Sequence, residues 1–166
     1  MNTKSTPLKS RHKKNLDRSK HSLRLWLRLL SCESIIEQRI RARLRQTYGI
    51  TLPQFDVLAK LEYACKPLTM TGLSRMLMVS NGNVTGVTDR LVRNGYVRRI
   101  PSRTDRRVQL IELTEAGMQA FSDMAGQHEK WIAELFDFMP LSEMERLSGT
   151  LGKISNTLRG GVISRR

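Results

Sequence analysis

Residues 68–113 run LTMTGLSRMLMVS (68–80), NGNVTGVTDRLVRNG (81–95) and YVRRIPSRTDRRVQLIEL (96–113). The first two pieces space their apolar residues as short helices do, and Met78-Val79 separates them. The third places two β-prone stretches, Val97–Ile100 and Val108–Leu113, on either side of Pro101-Ser102-Arg103-Thr104-Asp105-Arg106-Arg107. Such a piece reads as a hairpin with an arginine-rich tip. Two helices followed by a basic ribbon outline a winged helix-turn-helix, which lays its second helix in the DNA major groove. The fold class expected is mostly α, with a small β wing.

A length of 166 residues suits one compact domain, or two small ones sharing a core. The formal charge of +14 makes a polyanion the natural partner, nucleic acid before an acidic membrane surface. No apolar run is long enough for a membrane span, and the basic N-terminus lacks the apolar core of a secretory signal. Cys32 and Cys65 are too few for a disulfide framework, and His12, His21 and His128 are scattered. No metal, cofactor or catalytic constellation is expected. The chain reads as a cytoplasmic protein that is not an enzyme.

Working outward, residues 1–20 hold seven Lys/Arg against one acid, Asp17, and read as a basic arm, either disordered and flexible or a fraying helix, that is solvated or touches DNA. A long helix is expected over 22–47, with Leu29, Ile36, Ile40 and Leu44 on one side and Gly49 ending it. Thr51 and Gln54 have the spacing of a capping box, opening a helix that turns Phe55, Leu58 and Leu61 inward. Beyond the ribbon, Thr114 is placed to cap a helix from Glu115 to Phe138, which Pro140 breaks. Ser142-Glu143-Met144-Glu145 then reads as a capping box for a last helix reaching Arg159. Thr69 to Leu113 has eight bases and three acids, whereas Thr114 to Leu147 has two bases and seven acids. Positive charge therefore gathers on the helix-turn-helix and its ribbon.

On the second helix, Val84, Val87 and Leu91 form the stripe expected to be buried. Ser80 is its N-cap, and Asn81, Gly82 and Asn83 occupy the first turn, the part that meets base edges. Gly82, Thr85, Gly86, Asp89 and Arg93 lie opposite the stripe, with Arg90 on the flank. Asn bonds adenine bidentately and Thr offers a hydroxyl and a methyl. Gly82 and Gly86 are poor helix formers whose use is to let another surface come close. Arg90 and Arg93 have the reach for phosphates. Arg103, Arg106 and Arg107 suit the narrow, negative minor groove. Asp105 would fix the tip by accepting from Arg107 or from the turn backbone, and Asp89 would orient an arginine.

At these residues the chain resembles the MarR family of bacterial transcriptional regulators. The resemblance rests on Ile50 to Leu58, Leu68-Thr69 to Leu73, Val79-Ser80 to Thr85, and Val87-Thr88-Asp89-Arg90-Leu91. It continues through Asn94-Gly95-Tyr96-Val97, Asp105-Arg106-Arg107 and Leu113-Thr114-Glu115-Ala116-Gly117, and covers about residues 22–160. It implies a homodimer with interleaved first and last helices, each protomer offering a recognition helix and a wing to DNA. It also implies that Arg107 is the minor-groove arginine and Asp105 its anchor. Most such proteins are repressors released by a small aromatic or anionic ligand. Two positions depart from the pattern: Gly72 stands where a Glu would close a capping box with Thr69, and Gly86 where a basic residue is common.

The division expected is a basic N-terminal arm (1–20), a helical dimerisation region (21–48 and 118–166) and a winged helix-turn-helix (50–117). Partners would be double-stranded DNA with an inverted-repeat operator, a second copy of the chain and a small ligand, with no membrane. Arg28, Cys32, Arg39 and Arg43 fall on one side of the first helix beside Ile35 and Ile36. That row suits the anionic end of an aromatic acid or its acyl-coenzyme A thioester, although a solvated helix face has the same composition. Cys32 is expected to be a buried, inert thiol. Two rivals stand beside the ligand-responsive repressor. One is a ligand-independent architectural DNA binder dominated by the basic arm; the other is a repressor that senses oxidant through a cysteine.

Overall fold

A computed structural model describes residues 8–105 and 107–160, with side chains from residue 17 onward except that of Asn81. Lys4 and the start of the basic arm, Arg106 and residues 161–166 lie outside the described residues. The order is α1 (Leu8–Tyr48), α2 (Leu52–Ala64), β1 (Leu68–Thr69), α3 (Met70–Leu77), α4 (Asn81–Arg93), β2 (Val97–Pro101), β3 (Gln109–Leu113), α5 (Glu115–Phe136) and α6 (Leu141–Gly160). The chain divides into two compact units, Met1–Met124 and Ala125–Arg166.

In the first unit, α1 begins at Leu8 rather than at residue 22, so residues 8–20 of the expected arm are helical. No Gly or Pro lies between Leu8 and Tyr48, and nothing in that stretch interrupts backbone hydrogen bonding. Gly49 ends the helix at φ +67°, a conformation that glycine adopts without strain. Ile40 and Leu44 of the expected stripe are buried, but Leu29 and Ile36 are only half-buried. Gln54 Oε1 accepts from the Thr51 N–H at 2.8 Å and from the Thr51 hydroxyl at 3.0 Å, closing the first turn of α2. Phe55, Leu58 and Leu61 turn inward as expected, joined by Val57 and Ile50.

The core of this unit gathers Leu44, Ile50, Leu58, Leu73, Val84, Leu91, Val97, Ile111 and Met124, all fully buried. Phe55 and Phe121 add a tilted ring pair with centroids 5.5 Å apart. The sheet has three strands in the order β1-β3-β2, all antiparallel. β1 is a strand that the hydrophobic pattern does not announce, because two residues carry no periodicity; it pairs Leu68 with Ile111 and Thr69 with Leu110. Thr69 then caps α3, its Oγ1 accepting from the Gly72 N–H at 3.0 Å. Only half of a capping box is present, as the glycine at position 72 implies, since it has no side chain to supply the other half.

In the second unit, α5 ends at Phe136, two residues short of Phe138. α6 starts two residues earlier than a cap at Ser142 implies. The Pro140 carbonyl accepts from Glu143 N at 2.9 Å and Met144 N at 3.1 Å, so Pro140 holds the cap position and Ser142 is already inside the helix. α6 has no buried residue, and Leu141, Leu147, Leu151 and Leu158 are exposed along it.

Candidate nucleic-acid interface

α3 and α4 are joined by Met78, a non-glycine residue at φ +57°, whose N–H returns to the Arg75 carbonyl at 3.3 Å. This left-handed residue turns the chain within two positions, and Ser80 starts α4 with extended backbone at φ −68° and ψ 149°. Ser80 is the N-cap, as expected, but its hydroxyl makes no capping bond. The buried side of α4 is Val84, Thr88 and Leu91, while Val87 is only half-buried. Thr88 replaces Val87 on that side because its hydroxyl donates to the Val84 carbonyl at 2.8 Å, leaving a methyl to face the core.

The opposite side carries what the sequence placed there. Gly82, Asn83, Thr85, Gly86, Arg90 and Arg93 are exposed. The side chain of Asn81 lies outside the described residues. A Cβ added at Gly82 or Gly86 would meet no atom within 4 Å. Packing within the chain therefore does not require either glycine, and both lie on the surface of the helix that would face a groove.

Asp89 pairs with Arg99 of β2, fastening the recognition helix to the wing strand. The sequence marks Asp89 for an arginine without identifying which, and the packing of α4 beside β2 selects Arg99. Arg98 and Glu112 stand directly opposite each other on β2 and β3, and their side chains meet at 2.6 Å.

The hairpin tip is built by short polar side chains. Asp105 Oδ1 accepts from the Arg107 N–H at 2.9 Å, and the Asp105 carbonyl accepts from Val108 N at 2.9 Å. Asp105 thus holds the turn through the backbone rather than through the guanidinium. Ser102 is buried; its N–H donates to the Val108 carbonyl at 2.9 Å, and its hydroxyl lies 3.0 Å from that of Thr104. Arg103 and Arg107 are left exposed at the tip, and Arg106 lies outside the described residues.

The α1 row is placed differently. Arg28, Cys32, Ile35 and Arg39 are exposed, while Ile36 and Arg43 are half-buried and Arg43 is already engaged within the chain. Cys32 is therefore not the buried thiol expected, because it lies among exposed positions of α1, ahead of the part of the helix that Ile40 and Leu44 bury. Two shallow depressions of about 360 and 430 Å³ lie elsewhere, around Cys65 and around Gln119, and no residue of the row borders them. Among the described residues no cluster of three or more His, Cys, Asp or Glu could hold a metal, and no helix is long and apolar enough to cross a membrane.

A recognition helix with an open polar face, buttressed by a three-stranded wing with an arginine tip, defines a winged helix-turn-helix DNA-binding protein. The model of the MarR family matches residues 50–108. The structure of a MarR family transcriptional regulator from Silicibacter pomeroyi superposes with a TM-score of 0.74 and 30% identity, over 86% of this chain and 98% of that one. The reduced form of MarR from E. coli superposes at 0.68 and 30% identity, over 76% and 93%. The transcriptional activatory protein BadR of Rhodopseudomonas palustris is 33% identical over 107 residues, which are 61% of this chain and 59% of BadR. The chain belongs to the MarR family: it is a DNA-binding transcriptional regulator and not an enzyme.

Proposed function

We propose that the chain is a cytoplasmic homodimeric repressor that reads an inverted-repeat operator and is released by a small anionic or aromatic ligand. The observation that carries the sequence-specific part is the pairing of an open α4 face with a wing tip whose backbone Asp105 holds. Base edges would be read from Asn81, Gly82, Asn83, Thr85 and Gly86, with Ser80 at the helix start. Arg90 and Arg93 would take phosphates, and Arg103, Arg106 and Arg107 the minor groove. Duplexes selected from a random pool by the wild-type protein supply the operator for the test. Arg107→Ala is expected to weaken binding to them by about 1–3 kcal/mol, and Asp105→Ala to weaken it by letting the tip lose its shape. Wild-type affinity in both variants would remove the wing from the reading.

Release by ligand rests on the exposed cationic row of Arg28 and Arg39 beside Cys32 and Ile35, with Ile36 and Arg43 at its half-buried edge. An aromatic acid or its acyl-coenzyme A thioester has the matching charge and an apolar body. A ligand can free DNA only by binding the DNA-incompetent state more tightly, and a tenfold loss of affinity needs about 1.4 kcal/mol of coupling. Double replacement of Arg39 and Arg43 by Ala is expected to keep DNA affinity and to raise the ligand concentration that releases it. An unchanged release curve, with a ligand found by thermal-shift screening, would discard the row as the sensor. The name of BadR favours a second reading in which the same contact activates transcription, and the sign of a reporter's change decides between the two.

A further inference from the structure

Over residues 17–28, α1 buries none of its described side chains. Ile40 and Leu44 anchor the helix in the core, but residues 17–28 are exposed throughout. At about 1.5 Å per residue, Arg24 stands about 24 Å before Ile40 along the helix axis, and Leu8 about 48 Å. Residues 8–24 of this extension contain seven Lys/Arg (Lys9, Arg11, Lys13, Lys14, Arg18, Lys20 and Arg24) and one acid. That acid, Asp17, lies 3.5 Å from His21. Among the described residues, Arg18, Lys20 and Arg24 form no ion pair.

We propose that this basic extension of α1 is a second phosphate-binding element, which contacts the DNA backbone outside the bases that α4 reads. The proposal rests on the DNA-binding reading but not on the assigned base contacts. Seven cations over 17 residues, about 26 Å of helix, fall about one per 3.7 Å, near the spacing of about 3.4 Å per negative charge along one strand of a duplex. The acidic stretch after Thr114 on a second copy is the weaker match, because Asp123 already accepts from Gln119 and Glu143 pairs with Arg146. Continuity also matters. An unbroken helix carries these charges on the unit that holds α4, so ordering them on DNA costs less entropy than ordering a flexible tail.

The test compares wild type with the triple variant Arg18→Gln/Lys20→Gln/Arg24→Gln on a random-sequence duplex of about 40 base pairs, across about 50–200 mM salt. Each phosphate contact contributes about 0.9 to the slope of log affinity against log salt. The variant's slope is therefore expected to be shallower by about 2–3, with helicity and thermal unfolding unchanged. A charge-keeping variant, Arg18→Lys/Arg24→Lys, is expected to retain the wild-type slope. Equal slopes for wild type and the triple variant overturn the proposal. If the triple variant also sediments as a monomer, the extension docks on a second copy instead. If it loses only binding to phosphatidylserine vesicles, the extension serves a membrane surface. A wild type that binds no duplex at all would sink the DNA-binding reading itself.

Discussion

Gly117→Ala is expected to destabilise the winged unit by about 1–3 kcal/mol, because the position has no room for a methyl group. A Cβ built there would lie 1.9 Å from the Tyr96 carbonyl oxygen and 2.8 Å from its carbon, both backbone atoms that cannot swing aside. The surroundings are tightly tied. The Thr114 N–H donates to the Tyr96 carbonyl at 3.0 Å, and the Thr114 hydroxyl donates to the Gly95 carbonyl at 2.6 Å. The same hydroxyl accepts from the Gly117 N–H at 2.9 Å. Gly95 has φ +74°, so the turn it makes is also restricted. Relief of the clash must push α5 away from the start of β2 and strain this whole junction. In a chain of this length the loss corresponds to a fall in the unfolding midpoint of about 2–12 °C. Gly126→Ala, where an added Cβ meets nothing within 4 Å, is the matched control. It is expected to gain up to about 1 kcal/mol from helix propensity alone. A Gly117→Ala protein that melts with or above wild type would show that the junction yields.

That junction also shows where sequence reading stops. The periodicity of α2, α4 and α5 is local, so Phe55, Leu58, Leu61, Val84 and Leu91 could be assigned to the core from spacing alone. The caps at Thr51 and Thr114 were legible because the residues that satisfy the first turn sit within three positions of each other. The demand for glycine at 117 was not legible as a steric fact, since it is set by Tyr96, 21 positions earlier. β1 and the Arg99–Asp89 pair were hidden for the same reason: each depends on which strand lies beside which element. Val87 was given the buried place that Thr88 takes, because a hydroxyl that bonds its own helix behaves as a small apolar group. The basic arm stayed open between disorder and a fraying helix because charge without an apolar stripe does not separate the two, although nothing within residues 8–20 breaks a helix.

Leu147→Glu combined with Leu151→Glu is expected to convert the proposed dimer to monomers and to lower affinity for a full operator by about a hundredfold or more. Leu147, Leu151, Ile154 and Leu158 lie at i, i+4, i+7 and i+11 of α6, one stripe of the helix surface. α6 nevertheless has no buried residue, and three of those four side chains are exposed. On α1, Leu23, Leu25, Trp26, Leu27 and Leu30 are likewise exposed. Full burial of a leucine is worth about 1.5–3 kcal/mol, so two such stripes left in water represent a large driving force for association. A two-fold pair of chains would remove them from water and set two recognition helices on one duplex. The second contact is then intramolecular, and its loss costs affinity by a factor of about 10²–10⁴. Because Leu147 and Leu151 are exposed, the two glutamates should leave the melting of the winged unit intact. Binding to a duplex with a single half-site should change little. Sedimentation decides the matter: a double variant that remains dimeric at wild-type concentrations excludes α6 from the interface. If the variant is monomeric yet binds the full operator at wild-type strength, one recognition helix suffices, and the inverted-repeat reading fails instead.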